Sequence, residues 1–86
     1  MPWTVNLGKS ALRALSRLQG ADRERIRAAL VSMTTEPFGG DLKHLTNDQR
    51  ARYRRRVGSW RIFFDADTQE RVIQVKAIER RTSTTY

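Results

Sequence analysis

Arg54, Arg55, Arg56 and Arg61 lie within one short stretch, Tyr53 to Phe64, interleaved with aromatic and aliphatic residues. Arginine presents a planar fork of N–H donors that matches phosphate bidentately, and it stays charged across the physiological pH range. Several such groups on one surface bind phosphate and stabilise charge that builds on phosphorus. RNA can be cut without a metal in this way. Its 2′-hydroxyl attacks the adjacent phosphorus and the 5′-oxygen leaves. In this chain the proton transfers of such a reaction would fall to Arg, Lys, Tyr or the RNA itself.

Other chemistries have no residues to carry them. The chain contains no cysteine and a single histidine, His44. That excludes disulfides, a thiolate or His-rich metal site, and the nucleophilic Cys/His arrangements. No glycine-rich phosphate loop is present. Asp65, Asp67 and Glu70 share a turn, but their spacing is a poor one for a metal. The sequence thus assigns no metal and no cofactor.

The bulk charge agrees with an anionic partner. The 86 residues carry 17 Lys and Arg against 9 Asp and Glu, a net charge of +8. A small domain this basic fits RNA, DNA, an anionic membrane surface or an acidic protein. No apolar run approaches the roughly 18 residues that span a bilayer, and no basic-then-apolar leader opens the sequence. Both point to a cytoplasmic protein rather than a membrane one. The length is that of one small domain, residues 1–86, without repeats or linkers.

The elements that position the arginines follow from periodicity. Trp3, Val5 and Leu7 alternate with polar residues, which predicts a strand over 3–7. Ala11, Leu12, Leu15 and Leu18 mark one face of a helix over about 10–19, and Gly20 stops it. Asp22 can cap a second helix, with Ile26, Ala29, Leu30 and Met33 as its apolar stripe, that runs to about Glu36 before Pro37. Residues 41–50 read as irregular. Strands are expected over 52–57, 60–65 and 72–78. The architecture is therefore α+β, in the order β-α-α-β-β-β, with two N-terminal helices packed on a small antiparallel sheet.

Gly58-Ser59 between two strand runs is a two-residue hairpin turn. Val57 then lies opposite Trp60, Arg56 opposite Arg61, Arg55 opposite Ile62, Arg54 opposite Phe63, and Tyr53 opposite Phe64. Opposed residues share a face. One face holds Tyr53, Val57, Trp60, Ile62 and Phe64 for the core, with Arg55 snorkelling at its edge. The other displays Arg54, Arg56, Arg61 and Phe63. A continuing meander that pairs Ile73 near Phe64 puts Val75 and Ala77 in the core and Lys76 beside Arg61. Like charges opposed across strands are destabilising, so their concentration on one face points to a bound anion. Phe63 among them offers a surface on which a base can stack.

These residues resemble the RelE/ParE toxin superfamily. The resemblance covers the order of elements along nearly the whole chain and is most specific over residues 42–86. It rests on Leu42-Lys43-His44-Leu45, on the run from Tyr53 to Asp65, and on the ending Ala77 to Tyr86, in which an arginine is followed six residues later by tyrosine. The resemblance implies two helices against an antiparallel sheet and a toxin held by a cognate acidic antitoxin. RelE-like members cut mRNA in the A site of the 30S ribosomal subunit and leave a 2′,3′-cyclic phosphate.

Carried over by position, the implied catalytic residues are Arg54, Arg56, Arg61, Arg80 and Tyr86. Phe63, Lys76, Arg81 and Lys43 lie where they can bind RNA. Arg61 and Arg80 would hold the scissile phosphate, Arg54 or Arg56 would stabilise charge and assist proton transfer to the leaving oxygen, and Tyr86 would stack or help activate the 2′-hydroxyl. Two positions depart from the family pattern. Lysines common on its strand are arginines here, and Glu79 stands where many members have histidine. ParE-like members share the fold and poison DNA gyrase without being enzymes. They lack this Arg and Tyr set, which favours the ribonuclease.

Overall fold

The computed structural model describes residues 2–81. Seven elements follow in order: β1 (Thr4–Leu7), α1 (Lys9–Arg17), α2 (Gly20–Ser32), β2 (Asp41–His44), β3 (Tyr53–Val57), β4 (Trp60–Asp67) and β5 (Val72–Arg80). The strands form one sheet in the order β1-β5-β4-β3-β2. β2 to β5 pair antiparallel, while β1 runs parallel to β5. The sheet is therefore mixed, with one parallel strand at the edge of an antiparallel meander.

The two helices cover one face of the sheet. Ala11, Leu18, Ile26, Leu30 and Met33 from the helices meet Ile62, Phe64, Ile73, Val75 and Ile78 from β4 and β5 in one buried core. Burial of each large side chain here contributes about 1.5–3 kcal/mol. On α1 the buried face is the i, i+3, i+4, i+7 row of Ala11, Ala14, Leu15 and Leu18. Leu12 falls off that row and is exposed. The expected stripe of α2 is the observed one.

Three boundaries differ from expectation for identifiable reasons. Gly20 has a positive φ of 59° and opens α2 instead of closing α1. Asp22 sits in the first turn of α2 without capping it. The second helix ends at Ser32 rather than near Glu36, because Ser and Thr hydroxyls compete for its last carbonyls. Ser32 Oγ donates to the Ala29 carbonyl at 2.8 Å and Thr34 Oγ1 to the Val31 carbonyl at 2.7 Å.

The segment expected to be irregular contains β2. Its four residues hold one half-buried apolar side chain, Leu42, too few to show alternation. It forms by pairing with β3, which brings Asp41 opposite Arg56 and Lys43 opposite Arg54.

Arg55 lies on the helix side of β3 but does not snorkel out. Its Nη1 donates to Ser32 Oγ at 3.0 Å and lies 3.5 Å from the Ala29 carbonyl, so the guanidinium meets the negative end of α2. Gly40, with φ of 73°, lets the chain pass directly against it. A Cβ on Gly40 would stand 2.6 Å from Arg55 Nε. Gly40→Ala is therefore expected to cost about 1–3 kcal/mol, from backbone strain and displacement of Arg55. Gly39→Ala, whose Cβ would meet nothing closer than 3.4 Å, should stay near wild type. Urea unfolding midpoints of the two variants check this, and equal midpoints would contradict the packing of Arg55 on Gly40.

Candidate nucleic-acid interface

The hairpin of β3 and β4 has the register that the two-residue turn dictates. Val57 pairs with Trp60, Arg56 with Arg61, Arg55 with Ile62, Arg54 with Phe63 and Tyr53 with Phe64. Gly58 supplies the positive φ, 59°, at the first turn position. Arg54, Arg56 and Arg61 consequently share the sheet face away from the helices.

Pairing across the whole sheet makes two cross-strand rows on that face. One reads Asp41, Arg56, Arg61, Glu79. The next reads Lys43, Arg54, Phe63, Ala77. In the first row two cations stand side by side with an acid at each end. Arg56 Nε lies 3.6 Å from Asp41 Oδ2. Among the described residues, Arg61 and Arg54 have no acid within ion-pair distance. Arg54 Nε is also buried and meets no hydrogen-bond acceptor. A buried donor left unmatched costs about 1–3 kcal/mol.

Two expected site residues, Lys76 and Arg80, stand apart from Arg61. Lys76 does not stand beside Arg61. Ile73 pairs with Ala66 and not near Phe64, a register two residues from the expected one, and the pairing shifts again between Phe63 and Phe64, where Phe63 meets Ala77 and Phe64 meets Val75, so Lys76 is the extra residue of a bulge. The bulge brings Glu79 opposite Arg61 and turns Ala77 to the outer face rather than the core. Arg80 pairs with Trp60 and belongs to the helix side. There it lines a groove of about 430 Å³ with Ala14, Arg17, Leu18, Gln19, Asp22 and Trp60. It does not join Arg54, Arg56 and Arg61. Arg81 follows β5 and donates its backbone N–H to the Ser59 carbonyl at 2.6 Å, at the hairpin end of the sheet. Tyr86 lies outside the described residues.

Phe63 is on the expected face but is not an open stacking surface. It is only 2% exposed. The connection between β2 and β3 folds over it, held by the Leu45 N–H to the Arg52 carbonyl at 2.7 Å and the Arg52 N–H to Asp65 Oδ1 at 2.7 Å. Ala51, Ala77 and Leu45 pack around the ring. Arg50 lies on it, with Cζ 4.1 Å from the ring centroid.

Arg50 had no place among the expected site residues, yet it is the most constrained cation of the face. Its Nη1 donates to Glu79 Oε2 at 2.8 Å, its Nη2 to Asp48 Oδ2 at 3.0 Å and its Nε to Asp48 Oδ1 at 3.2 Å. The Asp48 carboxylate also accepts the Arg50 backbone N–H at 2.8 Å. These bonds to Asp48, then to Glu79, raise the guanidinium pKa further above its ordinary value. The only available sequence cue is the spacing of Asp48 and Arg50, which suits an Asx turn. Among the described residues no three metal-ligating side chains converge.

The Arg50 bonds hold the Asp48 carboxyl below its ordinary value of 3.8. A lowered folded pKa means that this interaction is fully present above the ordinary aspartate value. It is lost as pH falls through the lowered one. The Asp48–Arg50 clamp should therefore stay constant from pH 5 to 9 (roughly, given the ordinary range) and open only under stronger acid. An NMR titration of the Asp48 carboxyl carbon reads this directly. A midpoint at or above the ordinary value would contradict the clamp.

No protein-family model matches the sequence, and no curated protein does. Solved structures match it closely in shape. A chain of the archaeal RelE–RelB complex from Pyrococcus horikoshii superposes with a TM-score of 0.82 at 23% identity, covering 98% of this chain and all, 100%, of that one. A chain of the RelBE2 toxin–antitoxin complex from Mycobacterium tuberculosis gives 0.71 at 24% identity, covering 94% of this chain and 100% of the other. The isolated RelE toxin of E. coli gives 0.77 at 17% identity, over 95% and 87% of the two chains. With its two helices on a five-stranded mixed sheet, the chain has the RelE toxin fold.

Proposed function

We propose that this protein is the toxin of a toxin–antitoxin pair and acts as a metal-independent endoribonuclease on mRNA. Its place of action is the ribosomal A site, in the cytoplasm, and its product carries a 2′,3′-cyclic phosphate. The observation that carries this reading is the pair Arg54 and Arg61. They are diagonal neighbours on one outer face, neither has an acidic partner among the described residues, and Arg54 keeps a buried unmatched donor. A scissile phosphate set between them accepts from the guanidinium ends of both side chains and spreads its charge over both forks.

The steps follow from the groups at hand. Arg61 and Arg54 hold the non-bridging oxygens and stabilise the phosphorane as the 2′-oxygen attacks. Arg56, tethered to Asp41, and Lys43 hold neighbouring phosphates of the strand. The attacking 2′-hydroxyl passes its proton to water or to a group of the RNA, with Tyr86 helping to activate it, and the 5′-oxygen leaves with a proton supplied by water or by the RNA. Arg80 and Arg81, away from this row, touch RNA or ribosome at the edge of the footprint. Lys76 does so from the bulge.

An acidic antitoxin suits the same face, because carboxylates satisfy the guanidinium forks as phosphates do. The RelE–RelB and RelBE2 complexes among the similar structures support such a partner. The protein carries +8 overall, so attraction to RNA or to an acidic protein is strong at low salt.

The experiment is inducible expression in bacteria with mapping of mRNA 5′ ends within minutes. Cuts inside translated frames are expected. Arg61→Ala should lower them by about a hundredfold or more, the usual loss when one donor to a developing oxyanion is removed. The variant's melting curve should stay near wild type, since Arg61 is half-buried and has no ion-pair partner among the described residues. Growth arrest with intact mRNA and DNA damage signalling would instead identify a gyrase poison. Full cleavage by a folded Arg61→Ala protein would remove Arg61 from the site.

A further inference from the structure

We propose that Arg50 is the surface on which one unpaired base of the bound RNA stacks, the role that the sequence assigns to Phe63. The inference rests on the RNA reading above and deepens it. The geometry separates a base from a phosphate as the ligand of this residue. A guanidinium binds phosphate through N–H groups in its own plane. In Arg50 all three nitrogens already donate in that plane, to Asp48 and to Glu79. One face of the plane lies on the Phe63 ring at 4.1 Å. The side chain is 47% exposed, so the cation is not enclosed by its partners. With Asp48 along its Nε and Nη2 edge, Glu79 on Nη1 and an aromatic ring behind it, the cation has three of its five N–H groups engaged and keeps a plane on which a base can stack.

Its position suits a base adjoining the phosphate site. Arg50 covers Phe63, and Phe63 is the direct cross-strand partner of Arg54. A nucleotide whose phosphate sits on Arg54 and Arg61 thus has the Arg50 platform beside it on the same face. Glu79 takes a defined part in this arrangement. Its carboxylate is engaged by Arg50 at 2.8 Å, so it orients the platform while standing opposite Arg61. Asp48 and Glu79 act as positioning residues, and neither needs to touch RNA.

The test uses the full chain and short single-stranded RNA oligonucleotides, made uncleavable by 2′-deoxy substitution at the attacking position. Each oligonucleotide is compared with copies carrying a single abasic residue at each position in turn. In the wild-type protein one position should show an abasic penalty of roughly tenfold in affinity, within the range of a guanidinium stacked on a π surface. Arg50→Lys keeps the charge and removes the plane. It should abolish that penalty while the salt dependence of binding, which counts phosphate contacts, stays at the wild-type slope. Glu79→Gln keeps Arg50 but loosens its orientation, and should reduce the penalty severalfold.

Arg54→Ala separates the inference from the reading on which it rests, because it should weaken intact and abasic RNA alike. An unchanged abasic penalty in both folded Arg50→Lys and Glu79→Gln overturns the stacking role and leaves the RNA site standing. Should Arg50→Lys fail to fold, an unchanged penalty in Glu79→Gln alone overturns it. Absence of RNA binding by the wild-type protein overturns the RNA reading, and the platform with it.

Discussion

Arg56 stands directly opposite Arg61 across β3 and β4, a pairing that disfavours the strands that carry it. The cost is set by parity. With Gly58 and Ser59 as the turn, every residue of the hairpin is committed to a face, and a slip of one residue would exchange the faces. Ile62 and Phe64 must then leave the core, and the arginines must enter it. Burial of those two side chains alone outweighs the repulsion of one exposed cation pair by several kcal/mol. The core thus holds the register, and the register holds the arginines together.

The sheet tempers the repulsion without neutralising it. Asp41 and Glu79 stand at the two ends of the row, so that each inner arginine has one cationic and one acidic neighbour. Yet Glu79 is engaged by Arg50 rather than by Arg61, and Asp41 lies at 3.6 Å from Arg56. Acids that fully paired Arg61 and Arg54 would compete with any phosphate. Acids one position away lower the repulsion and leave both forks available. Spending an acid on Arg50 also explains how a cation can lie flat on Phe63 without binding phosphate itself.

The hairpin was legible in the sequence because everything it needs is local. A Gly-Ser turn between two strand runs determines the pairing of ten residues by counting, and each of the pairs from Tyr53–Phe64 to Val57–Trp60 is observed. What lay beyond counting was set by tertiary contact. The parallel partner of β1 is seventy residues away in sequence (roughly), and no local pattern names it. The pairing of β5 on β4 stands two residues from the expected register, with Phe64 opposite Val75 instead of Ile73, which takes Lys76 off the Arg61 row, and the bulge beside Phe63 adds one residue more and brings Glu79 onto it. Burial of Phe63 depended on a loop that carries little apolar sequence, and Arg80 was read from spacing to Tyr86 rather than from its face. The resemblance to the RelE/ParE superfamily pointed to the fold that the solved structures share. It could not show which side of the sheet each late residue takes.

A face built of arginine, where the resemblance to RelE-like proteins leads one to expect lysine, differs in what it can contribute. A lysine in a crowd of cations can lose its proton near neutral pH and then act as an acid or base. Arginine does not. A face built this way presents a constant field to RNA, and its contribution to the proposed cleavage is positional and electrostatic rather than proton transfer. The proton steps then belong to groups outside the row. On that view the arrangement of charge is the main catalytic resource. Two forks that lie diagonally on adjacent rows of one sheet, neither with an acidic partner among the described residues, are already in place when charge develops on phosphorus, which is the condition under which fixed cations stabilise a transition state most.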